Sequence, residues 1–174
     1  EFGAKVAVVE EAELGGTCVN VGCIPKKLYV YASEYAAAWR ESAGFGWRAE
    51  DVSFDWNTLR DNKTNEIARL NAIYARLLEA PGVDIIEGHG ALAGPQEVVV
   101  GESRYRAEKI LLATGTWTAM PDIPGIELAL TSNEIFDLER FPERLLIVGG
   151  GYIATEFASI FSGLGANVVQ SYRG

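Results

Sequence analysis

The chain has 174 residues, 48% of them hydrophobic, and a formal net charge of -9. That suffices to bury the core of one domain or of parts of two, while the acidic balance argues against a nucleic-acid partner, which would call for a basic face. No apolar run approaches the roughly 18 to 20 residues of a membrane span and the start lacks the basic and apolar stretches of a secretory signal, so a cytoplasmic protein without a membrane partner is expected.

Glu1 to Ala4 read as the end of a helix, and Lys5 to Val9 as a short buried strand. Glu10 follows at once. In a dinucleotide-binding unit, an acid after the second strand accepts hydrogen bonds from an adenosine ribose; otherwise Glu10 is a solvated loop carboxylate. The Gly-x-Gly-x-x-Gly turn that should stand about 20 residues before such an acid is not among the 174 residues. The expectation is therefore a piece of a longer protein that does not bind its dinucleotide well at this site on its own.

Residues 15 to 27, Gly-Gly-Thr-Cys-Val-Asn-Val-Gly-Cys-Ile-Pro-Lys-Lys, hold both cysteines, with four residues between Cys18 and Cys23. Gly15, Gly16 and Gly22 let the backbone bend and lie close to a flat ligand. The run after Cys23 reads as a helix, with Pro25 in a first turn that needs no amide donor. Cys23 is then at a helix N-terminus, where unpaired amides, the dipole and the neighbouring Lys26 and Lys27 favour a thiolate. Two buried thiols or a structural disulfide are the plainer readings. Two Cys and one His fall short of the usual four ligands of a structural zinc site, so no metal is expected, and dithiol-disulfide exchange is the leading reading.

The helix continues over residues 28 to 40, and Ser-Ala-Gly-Phe-Gly-Trp at 42 to 47 gives a turn. A long helix is expected from Asp55 to Leu78, with Leu59, Ile67, Leu70, Ile73, Leu77 and Leu78 on a helical spacing and Pro81-Gly82 as its stop. Val83 to Glu87 read as a strand and Gly88-His89-Gly90 as a close-approach turn. Val98 to Val100 and Tyr105 to Ala107 form a hairpin or small meander, and Lys109 to Gly115 a strand ending in Ala113-Thr114-Gly115.

Pro121, Pro124 and Gly125 mark a linker, which places a domain change near residue 116. Beyond it, a strand at Leu145 to Val148 enters Gly149-Gly150-Gly151-Tyr152-Ile153-Ala154, followed by a helix from Tyr152 to Leu164 and a strand from Asn167 to Ser171. That Gly-x-Gly-x-x-Ala has the strand and helix it needs, and amides at the helix start can take a pyrophosphate. Arg173 stands where NAD sites place an acid; an arginine there accommodates the 2'-phosphate of NADP, against the alternative of a solvated basic residue. The fold class is α/β, with two partial Rossmann-like nucleotide-binding units.

Gly-Gly-Thr-Cys-x4-Cys-x-Pro-Lys-Lys resembles the active-site stretch of the flavin-dependent pyridine nucleotide-disulfide oxidoreductases, and the resemblance covers essentially the whole chain. Pro25-Lys26-Lys27 is similar to the glutathione reductase branch, shared with trypanothione reductases, whereas dihydrolipoamide dehydrogenases usually carry Pro-Ser-Lys. The resemblance implies an incomplete FAD domain over 1–116 and the first part of an NADPH domain over 117–174, in a full-length homodimer. It implies that Cys23 lies nearest the flavin and Cys18 exchanges with glutathione disulfide. Glu10, Gly16, Thr17, Gly90, Thr114 and Gly115 would then border the flavin nucleotide, and Gly149, Gly150, Gly151, Ile153 and Arg173 the NADPH. Lys26 is the implied partner of Glu156, with Lys27 as the alternative. Tyr152 is implied to gate the nicotinamide pocket and Tyr74 to touch the disulfide substrate. His89 receives no catalytic role, because the family's catalytic histidine belongs to a C-terminal domain that these residues do not include. Thr116-Trp117 departs from the residues the family commonly has after Ala-Thr-Gly. Reduction of trypanothione or dihydrolipoamide, or a noncatalytic nucleotide-binding piece, remain the alternatives.

Overall fold

The computed structural model describes residues 3–48 and 51–173. It contains three small sheets. Strand β1 (Ala7–Glu10) pairs in parallel with β2 (Asp84–Glu87), Val8 facing Ile85 and Glu10 facing Glu87. Parallel neighbours need a long crossover, and here it is made by three helices: α1 (Gly16–Asn20), α2 (Cys23–Ser42) and α3 (Trp56–Glu79). Strands β3 (Gly90–Gly94), β4 (Glu97–Val100) and β5 (Ser103–Arg106) form an antiparallel meander. A second parallel pair, β6 (Arg144–Val148) with β7 (Asn167–Ser171), is joined by α4 (Tyr152–Leu164). The two parallel pairs are Rossmann-like α/β units, the expected fold class.

Helix boundaries follow local chemistry. Asp55 caps α3 by accepting from the Thr58 amide at 2.6 Å, and hydrogen bonding to the Thr58 side chain, then to that amide, holds its carboxyl below the ordinary range. Gly165, at φ +111, closes α4 in the left-handed conformation that a side chain disfavours. Three expectations need correction. Lys109 to Gly115 is not a strand: no described strand pairs with it, and Leu111 and Leu112 are exposed. An extended run becomes a strand only where a neighbour takes its amides and carbonyls. The buried strand expected at Lys5 to Val9 begins only at Ala7 and is at most half-buried, and Gly90 starts a full strand rather than ending a turn. Of the helix end expected at Glu1 to Ala4, Glu1 and Phe2 lie outside the described residues, and Gly3 is a bend.

The core is aromatic and lies where α2, α3 and α4 meet the segment 135–141. Tyr29, Trp56, Phe136, Phe157, Ile160 and Phe161 are its most buried members. Tyr29 stacks edge-on against Trp56 and Phe136 at 5.3 and 5.7 Å between ring centres. Its hydroxyl donates to the Phe136 carbonyl at 2.7 Å and the Trp56 indole donates to the Leu138 carbonyl at 2.8 Å. Burial pushes the Tyr29 hydroxyl far above its ordinary value, so it stays protonated and keeps donating. These bonds fasten residues 136–138 to α2 and α3.

One buried charge sits beside this core. Lys63 is 5% exposed, and its ammonium meets the Asp137 carboxylate at 2.5 Å. Asp137 reaches solvent, so the two partners should respond unequally to substitution. Asp137→Ala strands a buried ammonium and should cost about 1–3 kcal/mol. Lys63→Met keeps the stem's packing and leaves a solvated carboxylate, so its cost should be clearly smaller. Thermal midpoints of the two full-length variants check the order; equal losses would show that Lys63 is not dependent on Asp137.

Candidate functional site

The two cysteines are carried by successive helices that meet at a glycine. Cys18 lies inside α1, and Cys23 is the first residue of α2, with Gly22 between the helices as the N-cap. A Cβ at residue 22 would come within 2.7 Å of the Thr17 carbonyl oxygen and 3.2 Å of the Cys18 Cα. Only a glycine lets the start of α2 approach Cys18 this closely. Pro25 is buried in the first turn of α2, where the first intrahelical bond comes from the Lys26 amide to the Gly22 carbonyl at 3.1 Å.

Both thiols are exposed and unbridged, and they lie close enough to share a proton. The hydrogen bond to the Cys23 sulfur, with some burial, lifts the Cys18 thiol above its ordinary value, while Lys26 pulls weakly the other way. Cys18 is therefore held in its thiol form beside the sulfur at the N-terminus of α2. No cluster of metal-ligating side chains occurs among the described residues.

One turn into α2, the Lys26 ammonium meets the Glu156 carboxylate of α4 at 2.5 Å and sits 5.3 Å from the centre of the Tyr152 ring. Lys26 is mostly buried and Glu156 partly exposed. This pair links the cysteine helix to the helix behind the second glycine-rich turn. Lys27, the alternative partner, instead lies over the Tyr31 ring at 5.6 Å.

The other candidate residues fall into two groups. In the first, Glu10 ends β1, and one of its carboxylate oxygens accepts from the Ala12 amide at 3.0 Å. Gly90 lies beside β1, where a Cβ would stand 3.1 Å from Val9 Cγ1. Gly115 adopts φ +72, and a Cβ there would meet the Thr17 hydroxyl oxygen at 3.9 Å, so the Gly16-Thr17 and Thr114-Gly115 segments adjoin. Around Gly16, at φ +64, the space a side chain would fill is open. The exposed edge formed by Gly16, Thr17 and Gly115 fits a flat nucleotide group.

In the second group, Gly149 bends at φ +134 after β6, Gly151 caps α4, and nothing lies within 4 Å of a Cβ at Gly151. Tyr152 and Ile153 open the helix and are exposed. The open space beside Gly151 at the start of α4 fits a pyrophosphate. Arg173, past the end of β7, is exposed and makes no ion pair with a described residue.

Tyr74 is 39% exposed on α3, three residues after Asn71. His89 is exposed and pairs with Glu11, also exposed, at 2.6 Å, not with either cysteine. Sequence reasoning passed over two asparagines and one tyrosine. Asn71 donates to the Leu14 carbonyl at 2.6 Å and to the Asn20 side-chain oxygen at 2.8 Å, across 51 positions that no spacing rule connects. Tyr172 lays its ring on Gly150, where a Cβ would overlap it; its place just before Arg173 was the only available signal.

The family pattern described as pyridine nucleotide-disulphide oxidoreductase matches residues 1–173. The chain is 49% identical over 172 residues to a glutathione reductase of Burkholderia cepacia, covering 99% of this chain and 38% of that protein. It is 44% identical over 178 residues to the chloroplastic/mitochondrial glutathione reductase of Pisum sativum, covering 96% of this chain and 32% of the relative. A trypanothione reductase of Trypanosoma congolense is 44% identical over 177 residues, with 93% and 36% covered. Among solved structures, the Cu(II) complex of the HOCl-induced flavoprotein disulfide reductase RclA from Escherichia coli superposes with a TM-score of 0.82 at 30% identity, over 97% of this chain and 36% of that one. The chain thus spans less than half the length of these relatives.

Proposed function

Because the chain belongs to the pyridine nucleotide-disulphide oxidoreductases, we propose that the full-length protein passes electrons from NADPH through FAD and the Cys18–Cys23 pair to glutathione disulfide. The observation that carries this reading is the thiol pair itself: two exposed sulfurs sharing a proton at the start of α2, one turn from Lys26 and Glu156. FAD, when bound, accepts the hydride of the nicotinamide and delivers its two electrons to the cysteine disulfide. Residues 1–116 form the FAD part and 117–174 the start of the NADPH part, in a cytoplasmic homodimer. A reducing compartment suits a disulfide that must open at every turnover. No described helix is long and apolar enough to cross a membrane.

The work of this chain's own residues is exchange. With both cysteines reduced to thiols, the Cys18 sulfur attacks one sulfur of glutathione disulfide as its proton passes to the leaving glutathione. The first glutathione leaves as a thiol and a mixed disulfide remains on Cys18. The Cys23 thiolate then attacks the Cys18 sulfur, re-forming the Cys18–Cys23 bond and releasing the second glutathione. Two protons from the two thiols end on the two glutathiones, and the pair has lost the two electrons that the substrate gained. Lys26 keeps a positive charge near this exchange, held in place by Glu156. Tyr74 supplies an aromatic surface for substrate, and Tyr152 a cover over the second nucleotide site.

NADPH is preferred through Arg173, whose guanidinium can hold the 2'-phosphate by two charge-assisted bonds. Arg173→Ala should raise KM for NADPH by roughly 10- to 150-fold and leave NADH nearly unchanged, as expected from losing a charge-assisted contact. Equal losses for both cofactors would place Arg173 in the fold or at the pyrophosphate. The 44% identity to a trypanothione reductase supports a second reading, a larger glutathione-containing disulfide as substrate. Steady-state rates of the full-length protein with glutathione disulfide and with trypanothione disulfide decide between them, the higher kcat/KM marking the substrate.

A further inference from the structure

Three residues before Tyr74, the α3 helix reaches into the turn that precedes Cys18. Asn71 donates from its one amide nitrogen to the Leu14 carbonyl at 2.6 Å and the Asn20 side-chain oxygen at 2.8 Å. Asn20, two residues past Cys18 at the end of α1, turns its own amide nitrogen back to the carbonyls of Glu13, Leu14 and Gly16, the closest being Gly16 at 3.0 Å. Both hydrogens of Asn71 are thus committed, and the only long-range polar tie between α3 and the cysteine turn among the described residues runs through them. Gly15, at φ +110, packs its Cα against Val19 so tightly that a Cβ would stand 2.8 Å from the Val19 Cβ. The turn over residues 13–16 is therefore fixed from two sides, by the asparagines and by the Gly15–Val19 contact.

From this geometry we infer that Asn71 and Asn20 form a clasp that positions Cys18 against Cys23 and sets its height relative to the Tyr74 face of α3. Neither asparagine touches a sulfur, so both are positioning residues acting through the backbone of residues 13–20. The inference rests on the reading of Cys18 and Cys23 as a redox pair. Without the clasp, α1 is a five-residue helix, too short to hold its own conformation, and the Cys18 sulfur wanders from its partner. Proximity of the two sulfurs is what favours their bond over bonds to outside thiols, so loosening α1 should make the internal disulfide easier to reduce. Exchange with substrate should slow for the same reason, since a misplacement of about 1 Å can cost a hundredfold in rate.

The test uses the full-length protein with its cofactor bound. Asn71→Asp keeps the shape of the side chain and removes both donor hydrogens; Asn20→Ala removes the other half of the clasp. The protein is equilibrated with mixtures of reduced and oxidised dithiothreitol, in which the Cys18–Cys23 bond opens as the dithiothreitol ring closes, and the remaining thiols are counted by alkylation. Each variant should shift the equilibrium about tenfold toward the dithiol, as for the loss of one to two hydrogen bonds. The double variant should be little worse than either single one, because a unit is broken only once. In turnover, kcat for the disulfide should fall about 10- to 100-fold with KM for NADPH unchanged. A wild-type equilibrium in both single variants overturns the clasp, as does a loss that appears equally in KM for NADPH and in the thermal midpoint. A wild-type protein that forms no Cys18–Cys23 disulfide in the same titration refutes the redox reading instead.

Discussion

Cys18→Ser in the full-length protein should abolish glutathione disulfide turnover, by a factor on the order of 10³ or more as for other covalent nucleophiles. Reduction of the bound flavin by NADPH should survive, because the serine leaves the nucleotide segments untouched. Cys23→Ser should stop turnover as completely, by a different route. Cys18 could still form the mixed disulfide, and the missing resolving sulfur would leave it there, detectable as a stable adduct of one glutathione per chain. The pH dependence of Cys18 separates the two roles further. The Cys23 sulfur is the chief cause that lifts the Cys18 thiol above its ordinary value. Removing it should let Cys18 ionise at lower pH, so alkylation of Cys18 in Cys23→Ser should gain rate on the acid side of the wild-type profile. An unmoved profile would mean that the two sulfurs do not share the proton. Retained turnover in either variant would rule out exchange through this pair.

How far the sequence could be read depended on whether the determining contact was local. The helix from Tyr152 to Leu164 and the strand from Asn167 to Ser171 were legible residue for residue, since Gly149 to Gly151 and Gly165 punctuate them within the chain. The start of α2 at Cys23 was legible from Pro25 and the glycine before it. Lys109 to Gly115 misled, because an apolar run says nothing of whether a neighbouring strand is there to pair with it. Lys26 against Glu156, 130 positions apart, could be named only through the family resemblance; charge alone left Lys27 equally eligible. Asn20 with Asn71 had no such help, as single asparagines in helices give no periodic signal. Nor did Lys63, whose burial depends on Asp137 arriving from a short turn beyond the Pro121–Gly125 linker that no periodicity marks.

The largest effect on stability should come from Phe161→Ala. Phe161 is fully buried in α4, stacked on Phe141 at 5.9 Å and 17°, with Trp56 at 5.9 Å and Phe157 at 6.4 Å between ring centres. Truncating a buried phenylalanine removes its transfer energy and leaves a cavity, about 3–5 kcal/mol together. That is a large share of the roughly 5–15 kcal/mol that holds a typical domain folded. Phe161→Leu, which refills most of the space, should cost much less. The cavity would open at a seam, because Trp56 comes from α3 on one side of residue 116 and Phe141, Phe157 and Phe161 from the other. Glu156 lies one residue before Phe157, so a slackened α4 also loosens its hold on Lys26. If the core is shared across residue 116, Phe161→Ala lowers a single thermal transition monitored by cysteine accessibility and by nucleotide binding alike. If nucleotide binding melts early while Cys18 and Cys23 keep their wild-type reactivity, the parts before and after residue 116 fold as separate units, and the aromatic seam is only a contact between them.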